Sequence, residues 1–156
     1  SAGNEVAKRF AAFGCKVVGV DLYPRKDDKY ENIYPLDMLS EAFSQSYVIV
    51  LTLPLTEQTK YLINKKTLDT VKNGAILVNV SRGQIINTKD MVDVLNDHTI
   101  SGAVLDVFEH EPLPENSPLW DMGNVIITPH SSFVGDGNRK RLNDIILRNL
   151  RDKSCI

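Results

Sequence analysis

The sequence predicts an α/β domain built on a doubly wound parallel sheet. Two observations carry that expectation. Short, continuous apolar segments alternate with segments of helical periodicity, as strands covered on both faces do. Several of the apolar segments also run directly into residues with ionisable side chains, at the strand end where open α/β sheets bind ligands. At 156 residues the chain is long enough for one domain with a real core.

The elements follow in order. Val6, Phe10 and Phe13 recur at helical spacing, with Ala7 beside Val6, and Gly14 stands where a helix end favours a left-handed residue. "KVVGV" (16–20) reads as a strand ending at Asp21. Residues 22–36 are polar, with Pro24 and Pro35, and read as a loop. "PLDMLSEAFSQS" is a short helix with Leu36, Leu39 and Phe43 on one side, and "YVIVLTLP" is a second strand. "NKKTLDTVKNG" (64–74) reads as a helix capped by Asn64 and closed at Gly74. "AILVNV" is a third strand, and "NTKDMVDVLN" is a helix with Asn87 as N-cap and Asp90 at its third position. "ISGAVLDVF" and "NVIIT" are the fourth and fifth strands. A last helix is expected over about 135–150, with Leu142, Ile145, Ile146 and Asn149 at helical spacing. No internal repeat, low-complexity tract or interdomain linker interrupts this series.

Composition narrows the function classes. A net charge of −2 with no basic block argues against nucleic acid or a membrane surface as partner. No apolar run approaches a membrane-spanning length, and no signal peptide is recognisable. Cys15 and Cys155 form neither a metal-ligand nor a redox spacing, so no metal is expected and a reduced, cytoplasmic setting is the simplest reading.

Four constellations carry possible chemistry. Seventeen residues separate Gly3 from Asp21, the spacing between the third glycine of a dinucleotide-binding fingerprint and the acid that bonds the adenosine ribose. Such an acid repels a 2′-phosphate and favours NAD over NADP, although Arg25 blurs the preference. Arg82 follows the strand in "VNVSRGQIIN", where a guanidinium can hold a carboxylate through paired bonds. "LDVFEHEPLPENSPLW" ends a strand at Asp106 and continues into a loop with Glu109, His110 and Glu111. "NVIITPHSSF" places His130 after a strand and a proline, where an imidazole can move a proton near neutral pH. Each has a bland reading alone: an exposed strand-end Asp, a surface Arg, a solvated acidic loop, a structural histidine. Together, Arg82, Asp106, Glu111 and His130 gather at the ends of successive strands. His98 and His110 have no such placement.

The chain resembles the NAD-binding domain of the D-isomer-specific 2-hydroxyacid dehydrogenases, a Rossmann-like fold. The resemblance lies in "AGNEVAKRFAAFGCKVVGVD", "LPLTEQTKYLIN", "GAILVNVSRGQIIN", "GAVLDVFEHEPLP", "SPLW" and "NVIITPH", in that order, over residues 1–150. It implies hydride transfer between NAD(H) and a small D-2-hydroxy acid or its 2-oxo acid. By the same resemblance His130 is the general acid/base, Glu111 pairs with it and favours its protonated form, and Arg82 binds the substrate carboxylate. Asp106 and the backbone of Val80 would fix the nicotinamide carboxamide, with Ser81 beside them. Asp21 would hold the ribose, Ser1, Ala2 and Gly3 would underlie the pyrophosphate, and Leu53, Pro54 and Thr59 would line the adenosine side. Trp120 matches the "PLW" segment without a chemical role. Glu111 argues against the formate dehydrogenase branch, where a glutamine partners the histidine. The intact protein is expected to be a homodimer.

The pattern departs from the family in two respects. The first Rossmann strand, its first two glycines and the substrate domain are not in this sequence. The chain is therefore expected to be an N-terminally truncated NAD-binding domain over 1–150, with 151–156 opening a truncated C-terminal return segment, and to be inactive alone. Ser131, Ser132 and Phe133 stand where many relatives carry small glycines, and are expected to narrow the pocket. Two other readings compete: an NAD-sensing, co-repressor-type binding module, and an inactive remnant of the dehydrogenase.

Overall fold

The computed structural model describes residues 1–132 and 134–153. Helix α1 (Ala2–Ala12) starts at Ser1, whose hydroxyl accepts the Asn4 N–H at 3.3 Å. It ends before Gly14, whose φ of 78° turns the chain toward β1 (Val18–Val20). Strand β2 (Asn32–Tyr34) pairs parallel with β1 in a two-stranded sheet. Helix α2 (Leu39–Gln45) leads to β3 (Val48–Leu51), α3 (Lys65–Leu68) to β4 (Ala75–Asn79), and α4 (Thr88–Asn96) to β5 (Ile100–Leu105). Strand β6 (Val125–Ile127) and helix α5 (Asn138–Lys153) complete the described chain. The second sheet has the order β3-β4-β5-β6, parallel throughout. β1 pairs only with β2, and β3 only with β4, so each has one unpaired edge among the described residues.

One face of the larger sheet carries the core. Leu51, Leu77, Ala103 and Leu105 point into it, against Ile63, Leu68, Ile85, Met91, Leu95 and Leu119. The alternate positions are less covered: Val48, Ile76 and Ile126 remain 40%, 39% and 62% exposed. Strand register then does the work that matters for function. Leu51 pairs with Asn79, Asn79 with Leu105, and Leu105 with Ile127, so the strands end level with one another. Thr52, Val80, Asp106 and Thr128 consequently share one edge.

Several expectations are corrected. The loop expected over 22–36 contains β2, which the sequence hid because three residues between Glu31 and Pro35 make no visible apolar run. The helix expected over 64–74 keeps its Asn64 cap, with the Asn64 N–H donating back to Thr67 Oγ1, but is helical only over Lys65–Leu68. Beyond it the Thr70 and Val71 N–H groups bond to Thr67 and Leu68, tightening the chain into turns that reach Gly74 at φ 80°. The apolar stripe of α1 buries only Ala7, and Phe10 and Phe13 are 38% and 87% exposed. Helix α5 begins at Asn138 rather than 135, after Gly137 at φ 81°. It runs on through Lys153, so residues 151–153 of the expected return segment are helical, and 154–156 lie outside the described residues.

Leu77 sits mid-strand in the core with 1% of its surface exposed. Leu77→Ala is expected to destabilise the chain by about 3 kcal/mol, through lost transfer energy plus a residual cavity. Urea denaturation of the two proteins measures the difference. A loss below about 1 kcal/mol would mean that this face is not the core.

Candidate active site

The shared strand edge supports three loops. The first follows β4. Asn79, fully buried at the strand end, accepts the Ser81 N–H at 3.1 Å and the Ser81 hydroxyl at 2.8 Å, and its amide donates to the Arg82 carbonyl at 3.1 Å. One amide thus fixes the backbone on which Arg82 is mounted. The Arg82 side chain is exposed and donates to the Ser81 carbonyl at 2.7 Å. Among the described residues it meets no carboxylate, so most of its donors are open to an anion.

The next residue joins this loop to the second. A Cβ at Gly83 would overlap the Phe108 carbonyl, so only glycine permits the contact. Phe108 in turn donates its N–H to Glu111 Oε1 at 2.9 Å. The other oxygen of that carboxylate, Oε2, lies 2.7 Å from His130 Nδ1. A carboxylate only accepts, so Nδ1 carries the proton in this pair and Nε2 is the nitrogen left for exchange. Burial would raise the Glu111 pKa, but the bonds from His130 and the Phe108 N–H outweigh it and hold the group below the usual glutamate value.

Asp106 organises the third loop. It is 2% exposed at the end of β5. Its Oδ1 accepts the Thr128 hydroxyl at 2.5 Å and the Ser131 N–H at 2.8 Å, and its Oδ2 accepts the Ser132 N–H at 2.9 Å. His130 stands between these partners at φ 51°, in the left-handed region that few residues other than glycine adopt. Burial pushes the Asp106 carboxyl up, but the hydrogen bonds from Thr128, Ser132 and Ser131 overcome this and bring it down to about 2.

Most of the remaining candidate residues lie outside these three loops. Asp21 follows β1, is exposed, and accepts the Tyr23 N–H on Oδ1 at 2.9 Å. A Cβ at Gly3 would come within 3.0 Å of Thr52 Oγ1, so the start of α1 lies close against the end of β3. Leu53 is half-buried and Pro54 exposed. Thr59 is buried and closes their turn, donating to the Pro54 carbonyl at 2.8 Å and accepting the Thr56 N–H at 2.8 Å. Ser1 and Ala2 are exposed at the start of α1. Trp120 is 53% exposed and donates its indole N–H to the Pro114 carbonyl at 3.0 Å. Ser131 and Ser132 bind Asp106 through their backbones, and Phe133 lies outside the described residues.

Sequence reasoning missed Asn79 and Gly83. A polar residue ending the apolar run "AILVN", and a glycine directly after the arginine, were the available signals. A cavity of about 200 Å³ lies beside the site, lined by Asn79, Gly83, Phe108, Glu109, Leu113 and Leu119, and does not include Arg82, Glu111 or His130. Among the described residues no group of three or more His, Cys, Asp or Glu could hold a metal ion, and no helix is long and apolar enough to cross a membrane.

A parallel sheet with ionisable residues on one strand-end edge is the arrangement in which open α/β domains bind their ligands. Residues 1–132 match the family described as "D-isomer specific 2-hydroxyacid dehydrogenase, NAD binding domain", and the chain belongs to that family. It is 39% identical over 150 residues to a hydroxypyruvate reductase of Blautia hydrogenotrophica, covering 96% of this chain and 46% of that protein. It is 36% identical over 151 residues to a glyoxylate reductase of Korarchaeum cryptofilum, covering 95% and 45% respectively. Among solved structures it resembles the NADPH-dependent glyoxylate/hydroxypyruvate reductase of Sinorhizobium meliloti in complex with NADP and sulfate. That likeness has a TM-score of 0.87 at 28% identity, over 99% of this chain and 50% of the other. A D-isomer specific 2-hydroxyacid dehydrogenase of Xanthobacter autotrophicus, in complex with NADPH and MES, matches with a TM-score of 0.86 at 33% identity, over 95% and 61%. The chain spans about half the length of the curated relatives it matches.

Because the folded Asp106 carboxyl titrates at about 2 instead of 3.8, it contributes about 2 kcal/mol to stability above about pH 5. The sign follows from the lowered value: the contribution is present above the unfolded pKa and is lost as pH falls through the folded one. Asp106→Asn is expected to lower stability at pH 7 by about 2 kcal/mol and to flatten its decline between about pH 5 and 2. Urea titrations at stepped pH test this. An unchanged acid profile in the variant would assign the decline to other groups.

Proposed function

We propose that the protein to which this chain belongs is an oxidoreductase that transfers a hydride between NAD(H) and a small D-2-hydroxy acid or its 2-oxo acid. The observation that carries the reading is the 2.7 Å contact of His130 Nδ1 with Glu111, next to a loop that presents the open guanidinium of Arg82. Three demands of the reduction are met by these side chains. Arg82 holds the carboxylate of the 2-oxo acid and draws electron density from its keto oxygen. His130 gives a proton from Nε2 to that oxygen as it becomes an alkoxide. Glu111 keeps the ring oriented and stabilises its protonated form. In the oxidative direction the same imidazole takes the proton back.

The residues also fit a dinucleotide. The close approach of α1 to Thr52 at Gly3, and the strand-end carboxylate of Asp21 with only Oδ1 engaged by the backbone, suit a pyrophosphate and a ribose diol. Ser1, Ala2 and Gly3 would face the phosphates, Asp21 the ribose, and Leu53, Pro54 and Thr59 the adenosine. Val80, Ser81 and Asp106 would shape the nicotinamide end. When bound, the cofactor supplies or accepts the hydride.

The single unpaired edges of β1 and β3 are what an absent strand would leave between them in the order 3-2-1-4-5-6. We read the chain as the nucleotide-binding part of a longer cytoplasmic, homodimeric enzyme whose substrate domain lies elsewhere in the polypeptide. The relatives are named as reductases, which supports turnover over the co-repressor and remnant readings.

In the full-length protein His130→Ala is expected to lower kcat for 2-oxo acid reduction by at least about 100-fold, with NADH affinity changed less than about threefold. Stopped-flow and fluorescence titrations separate the two effects. Retained turnover would remove His130 from its role. The full-length protein is expected to bind NADH at least about tenfold more tightly than NADPH, and Asp21→Ser to erase that preference. This is a demanding expectation, because the two structures above contain NADP or NADPH. Tighter NADPH binding by the unaltered protein would overturn it.

A further inference from the structure

Glu109 has no place in the chemistry described above, yet its carboxylate is engaged at both oxygens by segments distant in sequence. Its Oε1 accepts the Tyr61 hydroxyl at 2.6 Å, and its Oε2 accepts the Thr88 N–H at 3.3 Å, at the first residue of α4. Burial works against its charge, but the bonds from Tyr61 and Thr88 outweigh it and keep the carboxyl below the usual glutamate value. Tyr61 is fixed in turn. It stands at φ 51°, unusual for an aromatic residue, and its N–H bonds to the Gln84 carbonyl at 2.9 Å. Ile63 and Ile86 form a bridge just beyond.

Glu109 therefore joins three segments. Tyr61 lies two residues beyond Thr59, on the segment read as the adenosine side. Thr88 follows the turn that starts at Arg82. Glu109 itself lies two residues before Glu111. The two carboxylates leave the loop in different directions, one toward Tyr61 and Thr88, the other toward the Phe108 N–H and His130. The contact of Gly83 with Phe108 is packing and cannot by itself fix the rotation of the 109–111 segment about it.

We propose that Glu109 is a positioning residue: by clamping the 107–111 loop to Tyr61 and to the start of α4, it sets where Glu111 presents its carboxylate to His130. The catalytic consequence rests on the dehydrogenase reading, whereas the geometry does not. Loss of the clamp lets Glu111 swing away from Nδ1. The neutral ring is then free to hold its proton on either nitrogen, and the proton-exchanging nitrogen is no longer defined.

The test reads that proton directly, in the full-length protein, without substrate or turnover. The ¹⁵N shifts of the His130 imidazole, assigned apart from those of the other histidines, distinguish its two neutral tautomers and are read at about pH 9. The unaltered chain is expected to hold predominantly the Nδ1–H form. Glu109→Ala and Tyr61→Phe are each expected to lower the ratio of Nδ1–H to Nε2–H several-fold. Glu109→Gln, which keeps an acceptor for the Tyr61 hydroxyl, is expected to restore most of it. A purely structural role would lower the melting temperature of Glu109→Ala while leaving the tautomer ratio of the folded fraction unchanged, and that result would overturn the proposal. If Glu109→Ala does not fold, Tyr61→Phe decides: an unchanged ratio in that variant overturns it equally. A failed kinetic test of His130 would count against the dehydrogenase reading and leave this result standing.

Discussion

A buried carboxylate holds the candidate site together. Asp106 ends β5 inside the protein, where a lone charge would be costly. Three hydrogen bonds from Thr128, Ser131 and Ser132 repay that cost, and all three partners lie within two residues of His130. The charge is tolerated because the loop surrounds it, and the loop keeps its shape because the charge is there. The left-handed backbone of His130 is one consequence. The strain belongs to a single residue, and the bonds on either side of it maintain it.

The same logic extends along the strand edge by different means. Asn79 is buried like Asp106 but neutral, and it fixes the Arg82 backbone with an acceptor and a donor at once. Gly83 uses absence: without a Cβ the loop after β4 can press onto the Phe108 carbonyl. A strand-end amide, a missing methyl and a buried acid thus bring an arginine loop, a glutamate loop and a histidine loop together. None of these three residues is the one that would meet substrate. Level strand ends make the arrangement possible, because a register slip of one residue in β4 would turn Asn79 to the other face of the sheet.

Much of this was legible in the sequence. The long apolar runs gave the strands of the larger sheet, and Asn64 and Asn87 cap helices as their side chains suggest. Arg82, Glu111 and His130 could be singled out because all three follow strands, and their types suit one reaction. What stayed hidden was whatever depends on contacts distant in sequence. β2 exists because β1 offers it a partner, and its three residues carry no pattern of their own. The helix expected to reach Gly74 stops after Leu68, where the Thr70 and Val71 N–H groups close tighter turns onto Thr67 and Leu68. The role of Gly83 depends on Phe108, twenty-five positions away, and periodicity gives no access to it.

The contrast between Asp106 and Glu111 shows how the fold divides labour between similar groups. Asp106 is enclosed, and both of its oxygens serve the turn, so its proton is held far from neutral pH. It gives the site rigidity at the expense of reactivity. Glu111 is 35% exposed at its side chain, and it spends one oxygen on its own loop and the other on an imidazole that is itself 47% exposed. Its surroundings leave the pair open to solvent. A group that exchanges protons needs that access, because full enclosure would favour one protonation state. The rigid acid therefore sits inside and the responsive pair outside, and the loop between Thr128 and Ser132 carries the order of the first to the second.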